Sequence, residues 1–338
     1  MKRFVAVMAV LLLAGCGGGS GDSVDGDLVG AGSTFVFPLV AKWIPDYGSK
    51  HDVDITYGPI GSGGGIQQVT HRTVDFGASD APLTSDQLDQ CDGCVQIPWA
   101  VAGTSIPYNV PGAPAHLKLS GEVLADIYLG RITFWSDPAI ADLNPGVTLP
   151  KLRITPIYRT DSSGTTFNLT DYFAKVTPEW RFKVGVGTAV NFPAGTGAKG
   201  SAGVAAALSR AKGGITYVDS AYSIENGFDY AALRNRAGSF ELPDRAAVGA
   251  AAAAITTIPA DNAVSIVDPP ALAANAYPLS TFTYAIVPVS TSKAAALRQF
   301  LEYAIGDGQQ FAAELEFAKL PAKVIAADKR TIARLKSG

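Results

Sequence analysis

Short β-rich apolar segments alternate along the chain with segments in which apolar residues have helical spacing. Residues 53–57 and 152–158 have the composition of strands, whereas the apolar side chains of 36–47 fall on one helical stripe. Helical spacing returns in 66–71 and 167–173. This alternation of strands and helices predicts an α/β protein.

Three of the predicted strand-to-helix junctions combine glycines with hydroxyl side chains, at 30–35, 61–65 and 160–166. A helix start leaves backbone N–H groups without partners and carries a partial positive charge, so hydroxyls and amides gathered there can hold an anion. Ligands of open α/β sheets settle at the carboxyl ends of the strands, where all three loops fall. The pattern therefore predicts an oxyanion site.

The third junction adds a cation to this pattern. Arg159 ends the predicted strand, Ser163 stands at the N-cap position, and Gly164 and Thr165 offer free backbone N–H groups. Asp161 can accept from the guanidinium and hold its planar fork in place. An ordinary capped surface turn would contain the same residue types, so this segment alone leaves both interpretations open.

A fourth segment, 73–82, is a short predicted strand that ends on the carboxylate of Asp80. Asp80 could simply cap a helix over 83–88. A carboxylate directed at a bound anion makes sense only if the anion carries a proton to donate. Both roles are open for Asp80 at this point.

Composition and charge narrow the class of protein. The 338 residues are 47% hydrophobic and 17% charged, with a net charge of -3. A chain of this length can bury a large core and form two lobes, and its charge argues against a nucleic-acid partner. No cofactor or metal is expected, because the sequence has neither a cluster of metal-binding side chains nor a second cysteine pair.

An exported phosphatase or esterase is the enzymatic alternative, with Ser163 as the best-placed nucleophile. This chain has three histidines, His51, His71 and His116, and none falls in a predicted site loop. A Ser-His arrangement therefore lacks an evident base.

The first residues have the pattern of an export signal. Lys2 and Arg3 precede an apolar run over 4–13, and Cys16 follows Leu-Ala-Gly, which resembles a bacterial lipobox. We expect a signal peptide over 1–16, lipidation of Cys16 and a flexible glycine-rich tether over 17–26.

Cys91 and Cys94 are the cysteines that remain in the mature chain. In an oxidising compartment their spacing indicates a local disulfide. A redox motif is the weaker alternative, because Cys94 leads into a strand-like run and not into a helix.

Several motifs together resemble the periplasmic phosphate-binding protein of the phosphate ABC importer. They are residues 30–35, 61–65, 74–82, 126–135, 144–146 and 159–165. Ser33 stands where that family commonly has Ala, Ser62-Gly63 where it often has two serines, and residues 221–275 match it poorly. The resemblance implies phosphate contacts from Thr34, Phe35, Ser62, Asp80, Arg159, Ser163, Gly164 and Thr165, supported by Ser33 and Asp161.

The resemblance also implies an α/β, two-lobe type II periplasmic-binding-protein fold with a ligand cleft between the lobes. Lobe I would comprise 27–104 and 281–338, and lobe II 105–280. The chain would be a monomeric, non-enzymatic lipoprotein of the periplasm or cell surface. It would bind inorganic phosphate for the permease and ATPase subunits of an importer, with Asp80 accepting the phosphate proton and excluding sulfate. The remaining alternative is a receptor for another oxyanion, or an adhesive, surface-exposed interaction protein that reuses the fold.

Overall fold

A computed structural model describes residues 26–51 and 53–338. The predicted signal peptide, the lipidated Cys16 and tether residues 17–25 lie outside the described residues. The strands are β1 (Leu28–Gly32), β2 (Ile55–Gly58), β3 (Phe76–Ser79), β4 (Cys94–Ser105), β5 (Pro107–Asn109), β6 (Lys118–Leu119), β7 (Thr155–Arg159), β8 (Thr196–Ala198), β9 (Gly214–Ile215), β10 (Val218–Asp219), β11 (Asp229–Tyr230), β12 (Ala232–Arg234), β13 (Phe240–Glu241) and β14 (Ser280–Pro288).

Helices follow most of the longer strands, as the apolar spacing predicts. They are α1 (Phe37–His51), α2 (Ser62–Thr70), α3 (Ser85–Gln90), α4 (Gly121–Tyr128), α5 (Pro138–Ala141), α6 (Gly164–Val176), α7 (Pro178–Lys183), α8 (Gly200–Arg210), α9 (Ser220–Glu225), α10 (Arg245–Ala253), α11 (Ala294–Ile305) and α12 (Ala322–Ile332), with a 3-10 helix at Asp307–Leu315. None of the helices in the described residues is long and apolar enough to cross a membrane.

The first sheet has six strands in the order β10-β4-β14-β3-β1-β2. β1 runs parallel to β2 and β3, whereas β14 runs antiparallel to β3 and β4. Every residue of β4 and β14 is buried, as expected for strands covered on both faces. The parallel strands direct the helix starts of α1 and α2 toward the same edge of this sheet.

The second sheet has five strands in the order β11-β5-β9-β7-β8. β7 is parallel to both β8 and β9, and α6 follows it directly. A small third sheet contains β13, β12 and β6. The chain passes from the first sheet to the second between Ser105, the last residue of β4, and Pro107, the first of β5.

Aromatic packing fixes α1 and α11 onto the first sheet. The rings of Trp43 and Trp99 are 5.2 Å apart, and Trp99 also contacts Phe76 and Phe300. Trp43 donates from its indole nitrogen to the carbonyl of Gly308 at 2.8 Å. These tryptophans are buried in the core, where large aromatic side chains contribute much of the packing.

Residues 245–267 lie against the first sheet, although the predicted division assigns them to lobe II. The side-chain amide of Asn262 donates to the carbonyl of Gln96 on β4 and to Thr331 Oγ1 on α12, both at 3.0 Å. Val264 exchanges hydrogen bonds with the Tyr284 hydroxyl of β14. The lobe boundaries stay a prediction, and these contacts argue for grouping 245–267 with lobe I.

The structure contains a disulfide between Cys91 and Cys94. The guanidinium of Arg72 lies beside it and donates to the carbonyls of Cys91 at 2.9 Å and Asp92 at 3.0 Å. The disulfide and Arg72 together hold the turn before β4 against the end of α2.

Candidate anion-binding site

Ser33 connects the start of α1 with the end of β3. Its hydroxyl accepts the backbone N–H groups of Phe35 at 3.0 Å and Val36 at 3.3 Å, as a capping side chain does. The same hydroxyl donates to Asp80 Oδ1 at 2.5 Å. The first predicted loop therefore directs a hydroxyl at the predicted carboxylate.

Ser62 is the first residue of α2, which begins four residues before the predicted helix at 66. Its hydroxyl donates to Asp80 Oδ2 at 3.3 Å and accepts the backbone N–H of Gly164 at 3.0 Å. A side chain at Gly65 would stand 2.5 Å from the carbonyl of Ala31. Only glycine lets α2 approach β1 this closely, and this approach brings Ser62 to Asp80.

Asp80 is buried and does not cap the following helix. Thr84 caps α3 instead, accepting the N–H of Gln87 while the Gln87 side chain accepts the N–H of Thr84. The capping interpretation of Asp80 is therefore wrong. Burial raises the pKa of Asp80 to about 6, against the hydrogen bond from Ser33, the charge of Arg159 and the hydrogen bond from Ser62, which lower it.

Arg159 is held by Asp161 in the predicted two-bond arrangement. Its Nε donates to Asp161 Oδ1 at 2.8 Å and its Nη2 to Asp161 Oδ2 at 2.5 Å. Burial raises the pKa of Asp161, but the hydrogen bond and charge of Arg159 outweigh it and leave the pKa below its usual value. The ion pair fixes one edge of a guanidinium whose side chain is 2% exposed.

The start of α6 completes the group. Ser163 is its N-cap and accepts the backbone N–H of Thr166 at 3.3 Å. A side chain at Gly164 would stand 2.6 Å from Ser62 Oγ and 2.7 Å from the backbone nitrogen of Asp80, so only glycine fits between them. The hydroxyl of Thr165 is buried without a hydrogen-bond partner among the described residues.

Two further residues, which the sequence patterns did not single out, belong to the site. Ser201, in the first turn of α8, shares a hydrogen bond of 2.8 Å with the hydroxyl of Thr34. Asn168 on α6 donates to the carbonyl of Asp80 at 2.9 Å. Residues 195–201 have the same combination of glycine, hydroxyl and helix start as the other loops, and this signal could have identified Ser201. Asn168 lies inside a helix, where its sequence position carries no such signal.

The predicted residues form two hydrogen-bonded groups, and Ser163 and Thr165 lie beside them at the start of α6. Ser33, Ser62 and Gly164 meet at Asp80, and Arg159 reaches Thr34 through Asp161, the N–H of Gly200 and Ser201. Each group joins elements of the two sheets across the cleft, with buried side chains on each side. The described residues contain no cluster of side chains that could hold a metal ion.

The histidines lie elsewhere. His51 stacks on Tyr47 at 4.2 Å, and His71 and His116 form hydrogen bonds to the carbonyls of Gln67 and Tyr230. None of these contacts involves Ser163. Among the described residues, the geometry thus provides hydrogen-bond donors and the Arg159 cation for an oxyanion, with no histidine beside Ser163 to act as its base.

Two sheets flanked by helices, with a candidate anion site between them, are the architecture of a periplasmic binding protein. Residues 18–307 match the PBP superfamily domain. The chain is 40% identical over 300 residues to a phosphate-binding protein PstS of Xylella fastidiosa, covering 88% of this chain and 82% of the relative. It is 40% identical over 302 residues to PstS of Pasteurella multocida, covering 88% and 87%. The chain belongs to the phosphate-binding protein PstS family.

Solved structures of lower identity share the fold. A high affinity periplasmic phosphate-binding protein solved with phosphate, PfluDING, has a TM-score of 0.74 at 23% identity, covering 90% of this chain and 93% of that one. A phosphate-binding protein from Stenotrophomonas maltophilia has a TM-score of 0.72 at 20% identity, covering 90% and 94%. The predicted resemblance and two-lobe fold are confirmed, and the relatives are named as binding proteins and not as enzymes.

Proposed function

We propose that this protein binds inorganic phosphate in the cleft between its lobes and delivers it to the permease and ATPase subunits of an ABC importer. The proposal is carried by the meeting of helix starts from both sheets at Asp80, together with the buried Arg159 and the buried hydroxyl of Thr165, which has no partner among the described residues. The names of the PstS relatives agree with this ligand. In this proposal the chain acts as a monomer in the periplasm or at the cell surface, anchored by a lipid on Cys16.

Phosphate must lose its water shell to enter this site. Each charge-assisted hydrogen bond contributes about 1.5–3 kcal/mol toward that cost. Arg159 cannot neutralise a dianion, particularly since Asp161 shares its charge. The starts of α1, α2 and α6 supply the remaining positive potential through their backbone N–H groups.

Asp80 sets the selectivity in this proposal. Phosphate near neutral pH carries a proton that it can donate to the Asp80 carboxylate, whereas sulfate has none. Sulfate would place oxygen lone pairs against the carboxylate in a buried site. A mismatch of this kind can reject an analogue by roughly 10⁴ to 10⁵-fold. A carboxylate that accepts a proton from the ligand therefore distinguishes a phosphate receptor from a sulfate receptor.

Calorimetric titration of Arg159→Ala with phosphate tests the proposal. The expected result is a large loss of affinity with the fold retained, because the buried cation is removed from the site. Arg131→Ala is the matched control, since Arg131 pairs with Asp126 at the surface and should leave affinity unchanged. Wild-type affinity in Arg159→Ala, or no phosphate binding by the wild-type protein, would contradict the proposal.

A further inference from the structure

Asp219 is a buried carboxyl group at the junction of the two sheets. Asp219 is the last residue of β10 and pairs with Thr104 of β4. Thr104 lies near the end of β4, just before the chain crosses to β5 in the second sheet. Two residues before Asp219, the hydroxyl of Tyr217 accepts the backbone N–H of Arg159 at 3.0 Å. The segment 217–219 thus connects the anion-binding site with the crossing between the lobes.

The carboxyl of Asp219 is poorly compensated for a buried ion. The residue is 1% exposed, and one oxygen accepts the N–H of Tyr222 at 3.1 Å as the cap of α9. The other oxygen has no partner among the described residues, nor does the hydroxyl of Thr104 on the facing strand. Within residues 26–51 and 53–338, none of the ion pairs involves Asp219.

The charged groups that act on Asp219 carry the same sign as its own carboxylate. Burial is the main reason why the pKa of Asp219 lies well above its usual value, and the carboxylates of Asp80 and Glu225 raise it further. The neighbouring Tyr222 of α9 adds a phenol whose own pKa is raised by burial. A phosphate ion beside Asp80 would add more negative charge to this region.

We propose that Asp219 is a proton-uptake residue: phosphate bound beside Asp80 adds negative charge near its buried carboxyl, which takes one proton from solvent on binding and returns it on release. The protonated oxygen can donate a hydrogen bond, which removes the charge that lacks a partner. The inference rests on the proposed function, because phosphate is the ligand whose charge favours the protonated carboxyl. Asp219 thereby couples affinity for phosphate to pH without touching the ion.

Calorimetry in buffers of different ionisation enthalpy measures the protons taken up per phosphate bound. We expect Asp219→Asn to take up fewer protons than wild type, by as much as one per phosphate, and its affinity to decline less steeply as pH rises. Asparagine is an equally good N-cap, so the start of α9 is retained. Protons exchanged by phosphate itself cancel in the comparison.

Asp244→Asn is the matched control, because Asp244 caps α10 with two hydrogen bonds but is exposed. Its proton count should equal that of wild type. If Asp219→Asn fails to fold, the carbon-13 shift of the Asp219 carboxyl in phosphate-loaded wild type supplies the test, with a protonated shift expected at neutral pH. An ionised shift, or an unchanged proton count in a variant that still binds phosphate, would overturn the inference. Absence of phosphate binding by wild type would instead remove the proposed function on which it rests.

Discussion

The hydroxyl of Ser62 accepts the backbone N–H of Gly164 at 3.0 Å and joins the helix starts of the two lobes. The same hydroxyl donates to Asp80, so one serine links the carboxylate of the first lobe to the first turn of α6. Because Gly164 has no side chain, nothing separates this turn from Asp80. The candidate site is therefore assembled from both sheets, because Asp80 follows β3 of the first sheet and Arg159 ends β7 of the second.

The selectivity assigned to Asp80 should depend on pH. Its pKa is raised to about 6, so the carboxylate predominates above pH 6 and the neutral acid below it. Sulfate does not change protonation in this range, and a neutral Asp80 can donate to it. We expect the affinity of wild type for sulfate to increase as pH falls through 6. Calorimetry or competition with labelled phosphate measures this change.

Asp80→Asn provides the matched test of that pH dependence. The amide does not titrate, so its affinity for sulfate should be higher than that of wild type at neutral pH and nearly constant with pH. Discrimination between phosphate and sulfate that equals wild type in this variant would show that Asp80 does not set selectivity.

Ser201 should stabilise the closed arrangement through Thr34. Ser201→Ala removes a hydrogen bond of 2.8 Å across the cleft, and a bond of this kind contributes about 0.5–1.5 kcal/mol. We expect phosphate affinity to fall by about 2 to 10-fold. Ser209→Ala on the same helix is the control, because Ser209 is exposed and its hydroxyl donates to the carbonyl of Ala205 within the helix. Equal affinities for the two variants would contradict a role for Ser201 in closure.

Asp328 should reduce stability at high pH. It is fully buried on α12, neither oxygen has a partner among the described residues, and burial raises its pKa to about 8 against the opposing charge of Arg330. The pKa of Asp328 is higher in the folded state than in the unfolded state. The stabilisation of the folded state by its protonated carboxyl is therefore fully present below the usual pKa near 4 and is lost as pH rises toward 8. Asp328→Asn should therefore be more stable than wild type, by a margin that grows by up to about 1.4 kcal/mol per pH unit over this range.

Urea unfolding at several pH values measures that margin. The exposed Asp142 provides the control, since Asp142→Asn should give a difference from wild type that stays nearly constant with pH. A constant difference for Asp328→Asn as well would mean that Asp328 is not a buried acid in solution.

The disulfide should contribute to stability and not to binding. It closes a loop of sequence separation 3, for which the chain-entropy relation gives a stabilisation of about 2 kcal/mol. The double variant Cys91→Ala with Cys94→Ala should unfold at lower denaturant but retain phosphate affinity within about twofold. A large loss of affinity would indicate that the turn held by Arg72 positions Asp80.

Local sequence patterns predicted the helix starts and the Arg159–Asp161 pair, because those contacts join neighbours in the chain. The contact of Ser201 with Thr34 spans 167 positions and depends on how the lobes meet, which short-range spacing does not encode. The packing of 245–267 on the first sheet likewise depends on contacts between residues far apart in the chain. Its alanine-rich helix is apolar on several sides and does not indicate which sheet covers it.

Titration of wild-type protein lacking residues 1–16 with phosphate, and separately with sulfate near neutral pH, tests the central claim most directly. We expect saturable binding of one phosphate per chain and an affinity for sulfate that is lower by roughly 10⁴-fold or more. Absence of phosphate binding, or sulfate binding of comparable affinity, would contradict it.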